Sequence, residues 1–225
     1  YFDFTVRNDW SSTLPTNNNM NSYFYHSENL SFLFTEMLGL KSDVLTSGKL
    51  RGSYAKVGND TGAYNLYNYY GVSQSQLPYS TGGMGNTLAN SNLKPEETYS
   101  WEVGTNLGFW NNKLEVDFTW YNAYTVNQIM RVKSAPSTGW GDRWINSGEL
   151  SNKGFELQIN GTAIDNADGL RWDITLNMSK NISEVISLYE DDFQKVENLV
   201  LKTSVMDWAI VEARIGGTFG EIYGV

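Results

Sequence analysis

Two short stretches of this chain carry the residue types that hold a sugar or a peptide. "YNLYNYYG" (Tyr64–Gly71) sets Tyr64, Tyr67, Tyr69 and Tyr70 among Asn65 and Asn68. "STGWGDRW" (Ser137–Trp144) sets Trp140 and Trp144 beside Asp142 and Arg143. Aromatic faces stack on sugar rings or apolar side chains, while amide, carboxylate and guanidinium groups bond hydroxyls or backbone. These residues are the candidate substrate contacts. The plainer reading is that the same rings pack loops together or touch a capping partner.

Other stretches promise less. "YEDDFQKVE" (Tyr189–Glu197) is acidic, and oxygen-rich loops bind calcium. It lacks the D-x-[DN]-x-[DN]-G spacing, so it reads as solvated charge. "GGTFG" (Gly216–Gly220) lacks the spacing and βαβ setting of a dinucleotide loop. "NDT" at Asn59 and "NIS" at Asn181 match a glycosylation sequon, a three-residue pattern too short to carry an assignment. His26 lies within a strand pattern and reads as structural. Glu115 and Asp117 share a face, as any alternate residues of a strand do. No nucleophile–base pair stands out, so neither catalysis nor a cofactor is assigned.

Composition narrows the classes further. The chain has 225 residues, no cysteine and one histidine, which rules out a disulfide framework and a thiolate metal site. A formal net charge of −9 argues against a nucleic-acid partner. No apolar run approaches the ~20 residues of a transmembrane helix. The opening "YFDFTVRNDW" already reads as a strand rather than a leader, so an exported protein would have its start outside this sequence.

The elements that must position the candidates are strands. Apolar and polar residues alternate over Tyr1–Asp9, Tyr23–Thr35, Lys49–Val57, Thr98–Trp110, Leu114–Tyr121, Lys153–Ala163 and Leu170–Asn181. In the fifth, Leu114, Val116, Phe118 and Trp120 oppose Glu115, Asp117, Thr119 and Tyr121. This period of two predicts seven strands. Short turns ("NNK", "IDNADG") join the fourth to the fifth and the sixth to the seventh. "EMLGLKSDVLTSG" predicts a short helical turn between the second and third. Long connections at Trp10–Ser22, Gly58–Glu97 and Ala123–Asn152, and after Asn181, alternate with these. In an antiparallel meander the long ones gather at one end, carrying both candidate clusters with them.

A soluble β-sandwich that binds glycans through its loop aromatics also alternates apolar and polar residues. The predicted strands are longer than the ~5–6 residues usual in soluble proteins and match the about 9–11 that cross a bilayer. Loops beyond ~15 residues are uncommon in compact domains, yet outer-membrane barrels pair long extracellular loops with short turns. Trp110 and Trp172 sit beside short turns, and Trp101 and Trp120 toward long loops, as in the two aromatic girdles of a barrel. Arg51, Glu102, Glu115, Asp117, Glu156, Arg171 and Asp173 then face a lumen. The expected fold class is all-β: an antiparallel meander forming part of a large transmembrane β-barrel. A barrel enzyme, such as an outer-membrane lipase or protease, is the third class, and it lacks a nucleophile and base here.

"RNDWSSTLP" (Arg7–Pro15), "GKLRGSYAKVGND" (Gly48–Asp60), "NLKPEETYSWEVGTNLGFWNNKLEVDFTWYNAYT" (Asn92–Thr125), "NSGELSNKGFELQING" (Asn146–Gly161) and "IGGTFGEIYGV" (Ile215–Val225) together resemble the barrel of the SusC/RagA family. These are TonB-dependent outer-membrane transporters of Bacteroidetes. The resemblance implies that residues 1–225 are a segment of a 22-stranded barrel. It also implies a plug, TonB box and signal peptide outside this sequence. Implied partners are a SusD-like surface lipoprotein over the mouth, the TonB–ExbB–ExbD complex through the N-terminal parts, and outer-membrane lipid. The implied substrate is an oligosaccharide or a peptide. "LKPE" (Leu93–Glu96) reads as structural, since Pro95 fixes φ where loop turns into strand.

Overall fold

The computed structural model describes residues 1–16, 21–73, 81–190, 195–203 and 208–224. In chain order come β1 (Phe2–Trp10), β2 (Ser22–Phe32), a single helical turn α1 (Phe34–Met37), β3 (Leu45–Asn59), β4 (Tyr70–Ser73) and β5 (Thr81–Met84). Next are β6 (Thr87–Leu88), β7 (Glu96–Phe109), β8 (Leu114–Val126), β9 (Ile129–Lys133) and β10 (Asp142–Asn146). The last are β11 (Glu149–Asp165), β12 (Arg171–Ser187), β13 (Asn198–Thr203), β14 (Ala209–Arg214) and β15 (Glu221–Gly224). One seven-stranded sheet runs in the order β1-β2-β3-β7-β8-β11-β12, every pairing antiparallel. These are the seven strands that alternation predicts, in the predicted order. No helix among the described residues is long and apolar enough to cross a membrane, which says nothing about crossing by strands.

Several strands outrun the stretch of alternation. β11 begins at Glu149 and β12 continues to Ser187, because the backbone ladder from Leu150↔Val185 onward needs no side-chain pattern. β2 ends early, at Phe32, because Phe34 folds over Gly48. Buried Thr35 accepts the N–H of Gly48 at 2.9 Å and donates to its carbonyl at 3.3 Å. The connection expected over Ala123–Asn152 is largely strand. β9 and β10 pair from Asp142↔Lys133 to Asn146↔Ile129 and prolong the β8–β11 hairpin. Asn127 (φ 56°) and Gly148 (φ 91°) turn the chain between the two ladders.

Register separates two faces. On one, Val103 lies between Gly52 and Trp120, and Leu157 between Phe118 and Met178. That stripe is uncovered: Phe4 is 55%, Val103 54% and Leu176 56% exposed. The two clusters of buried apolar residues lie at the long-connection end, around Leu14, Leu66 and Leu93 and around Val132, Val185 and Leu199. The stripe therefore meets no second sheet among the described residues, and the sandwich expectation does not hold.

The other face is polar. Arg51 reaches across the strands to Asp117 with a two-pronged pair (2.5 and 3.1 Å) and touches Thr119. A Cβ on the intervening Gly104 would come within 2.7 Å of the Arg51 Nε. Gly154 does the same for Tyr121, whose hydroxyl donates across it to Asn181 at 3.1 Å. A Cβ there would overlap the Lys180 carbonyl and come within 2.6 Å of the Tyr121 hydroxyl. Gly154→Ala is expected to cost about 1–3 kcal/mol by overpacking, read as earlier thermal unfolding in detergent. Gly39→Ala, where a Cβ would meet nothing within 4 Å but φ is +64°, separates crowding from backbone strain.

Candidate functional site

The long connections rise from one edge of the sheet and fold against one another. Leu14, from the β1–β2 connection, meets Leu66 and Leu93, from the β3–β7 connection, with Ile129 and Trp144 packed on them. Asn146 fixes this join. Its amide donates to the Lys94 and Asn127 carbonyls (2.7 and 3.0 Å) and accepts from the Lys94 N–H at 2.7 Å. β6 pairs with β10, tying the tyrosine-rich connection to the β9–β10 hairpin. A second layer of β13, β14 and β15 packs Leu199 and Ala213 against Met130, Val132 and Val185.

A cleft of about 790 Å³ opens between β9 and β13. Arg131, Lys133, Asp142 and Trp144 line it from the hairpin, and Leu199, Val200, Leu201 and Phe219 from the other side. The register explains the hairpin's share: Lys133 faces Asp142 and Arg131 faces Trp144, so all four occupy one face. Lys133 Nζ lies 3.0 Å and Arg131 Nε 3.8 Å from the Asp142 carboxylate, which is nearly buried. The slot thus offers an indole, two cations sharing one carboxylate, and an apolar wall.

The "STGWGDRW" stretch is divided by its own strand. Asp142 and Trp144 enter the cleft, while Arg143, between them, points the opposite way and lies 4.8 Å over the Tyr189 ring. Trp140 precedes β10 and does not line the cleft. The tyrosines do not line it either. Tyr64, Tyr67, Tyr69 and Tyr70 are each more than half exposed, with Tyr64 edge-on to Tyr69 at 5.6 Å. Arg131, Lys133 and the β13 residues were not singled out from the sequence. "MRVK" alternates over only four residues and "NLVLK" not at all, so neither run carries a strand signal of use. Among the described residues no group of three or more acidic, histidine or cysteine side chains could hold a metal ion. Residues 191–194 of the acidic run lie outside the described residues.

The β13–β15 sheet carries its own charge network. Buried Glu212 accepts from Arg214 at 2.8 Å and from Asn198 at 3.3 Å, and the Arg214 bond holds its carboxyl below the ordinary glutamate range. Glu221 is lowered likewise, first by the Tyr223 hydroxyl (2.5 Å) and then by the Thr218 N–H (3.0 Å). A carboxyl with a depressed folded pKa binds fewer protons when folded. Its contribution is complete above the unfolded value and is lost as pH falls through the folded one. Hydrogen-exchange protection across Ala209–Arg214, taken relative to the intrinsic rate at each pH, is therefore expected to fall below about pH 4, and Glu212→Gln is expected to flatten that dependence.

Residues 1–204 match a family model described as "TonB dependent receptor-like, beta-barrel". TonB-dependent receptor P3 of Formosa agariphila is 30% identical over 198 residues, which are 85% of this chain and 19% of that protein. TonB-dependent receptor SusC of Bacteroides thetaiotaomicron is 29% identical over 201 residues, 85% of this chain and 20% of that protein. The solved structure of the RagAB peptide transporter superposes with a TM-score of 0.82 at 25% identity, over 96% of this chain and 23% of that chain. The chain spans about a fifth of the length of these relatives.

Proposed function

The chain belongs to the TonB-dependent receptor-like β-barrel family, and on that footing we propose that it forms part of the wall and extracellular lid of a nutrient importer. Family membership puts the sheet in the outer membrane, with its apolar face toward lipid and its polar face toward the lumen. The proposed importer carries oligosaccharides or peptides under a SusD-like lipoprotein cap. Energy comes from the TonB–ExbB–ExbD complex acting on an N-terminal plug, and residues 1–225 supply barrel rather than plug. Likeness to the RagAB peptide transporter supports the peptide class.

The observation that carries the reading is the division of labour in the chain. The sheet exposes a continuous stripe of Phe, Leu, Ile and Trp, while the buried apolar cores sit in the connections at one end. A wall in lipid needs no core of its own. A lid over a water-filled mouth does.

The test is genetic. A strain lacking the gene is expected to lose growth on one oligosaccharide or peptide source and regain it with the intact gene. Normal growth on every such source would overturn the reading.

A further inference from the structure

The cleft between β9 and β13 is bordered by consecutive residues of both strands, Ile129 through Lys133 on one side and Asn198 through Leu201 on the other. Successive side chains of a strand point to opposite faces. A cavity that touches every one of them therefore reaches the edge of the strand as well as the face that carries Arg131 and Lys133. Both strands are terminal in their sheets: β9 closes β6-β10-β9 and β13 opens β13-β14-β15. Among the described residues no strand pairs with the far side of either, and at the start of β9 the Ile129 N–H donates to the Glu96 carboxylate at 2.8 Å. Met130, Val132 and Leu199 share one buried cluster, which anchors the two strands to each other beside the cleft.

Building on the import reading, we propose that this cleft takes an extended acidic peptide as an added strand, main-chain bonded to the edge of β9. A strand edge presents N–H and C=O groups at regular spacing, and another backbone is the ligand that matches it. An oligosaccharide offers hydroxyls but no such repeat. Arg131 and Lys133 sit two residues apart on the cleft face, ~7 Å along the strand, which suits alternate carboxylates of an added strand. Their side chains are 57% and 85% exposed, and Asp142 offsets one of the two charges. In a chain of net charge −9 this local cationic excess selects for acidic side chains. Leu199, Leu201 and Phe219 form the apolar wall across the slot, so small apolar residues fit between the carboxylates. The volume of about 790 Å³ lies within the range of ligand pockets.

The test titrates the full-length protein in detergent with a short peptide of alternating valine and glutamate. Its comparators are the same peptide N-methylated at every second residue, a valine/lysine peptide and a malto-oligosaccharide. The acidic peptide is expected to bind, and N-methylation to weaken it about tenfold or more by removing main-chain donors. Lys133→Gln is expected to weaken it several-fold, whereas Lys133→Arg, which keeps a cation beside Asp142, is expected to bind as the parent does. Arg131→Cys with Val200→Cys can be joined across the slot by a short bismaleimide. That cross-link is expected to abolish binding. Equal binding of the N-methylated peptide overturns the proposal, as does no binding of the acidic peptide. Malto-oligosaccharide binding that the cross-link blocks overturns it too, while leaving import intact. Normal growth of the deletion strain would instead remove import and leave edge binding to be judged by the titration.

Discussion

Leu157→Arg is expected to destabilise the intact barrel in a bilayer by about 2–4 kcal/mol, the cost of a cation at the lipid midplane. Leu157 is the central residue of β11, with Phe118 and Met178 beside it and Phe155 and Ile159 before and after it on the same face. An arginine there has no partner within reach and must bend several residues toward headgroups or draw water inward. Its neighbour Gln158 points to the lumen opposite Asp117, so Gln158→Arg is expected to change stability by less than ~1 kcal/mol. The measurement is reversible unfolding of both variants in lipid vesicles. Equal costs at the two positions would mean that the stripe does not touch hydrocarbon, and the wall reading would fail with it.

The same alternation explains how far the sequence could be read. In "LEVDFTWY" two unlike surroundings impose a period of two over a long run, and the strand, its faces and its partners follow. The extracellular layer offers no such contrast. β10 has only five residues, so Asp142, Arg143 and Trp144 read as one cluster when they are neighbours in sequence and opposite in space. The edges of β9 and β13 are set by which strands fail to find a partner, and no local pattern encodes that. Leu93 sits in "NLKPE", which reads as the passage from loop into strand because Pro95 fixes φ, and nothing in that stretch marks Leu93 as wholly buried. Its burial depends on Leu14 and Leu66, residues far away along the chain.

That long-range dependence makes Leu93→Ala the sharpest test of the lid. Leu93 is 0% and Leu14 1% exposed, and together with Leu66 they form the point where two connections and the β9–β10 hairpin meet. Removing a buried leucine of this kind costs about 2–5 kcal/mol, depending on how well the site collapses. Collapse is restricted here, because Asn146 holds the Lys94 backbone in place immediately beside the cavity. The wall is carried by its ladders, so the loss is expected to stay local. Hydrogen exchange should rise by one to three orders of magnitude across residues 60–72 and 87–95, by about tenfold for each 1.4 kcal/mol. β7, β8 and β11 should keep their protection. Trp144 packs on the same cluster and lines the cleft, so ligand binding should weaken as the lid loosens. Uniform loss of protection through the wall would show instead that lid and barrel unfold as one unit, and that the loops are no separate device for holding substrate.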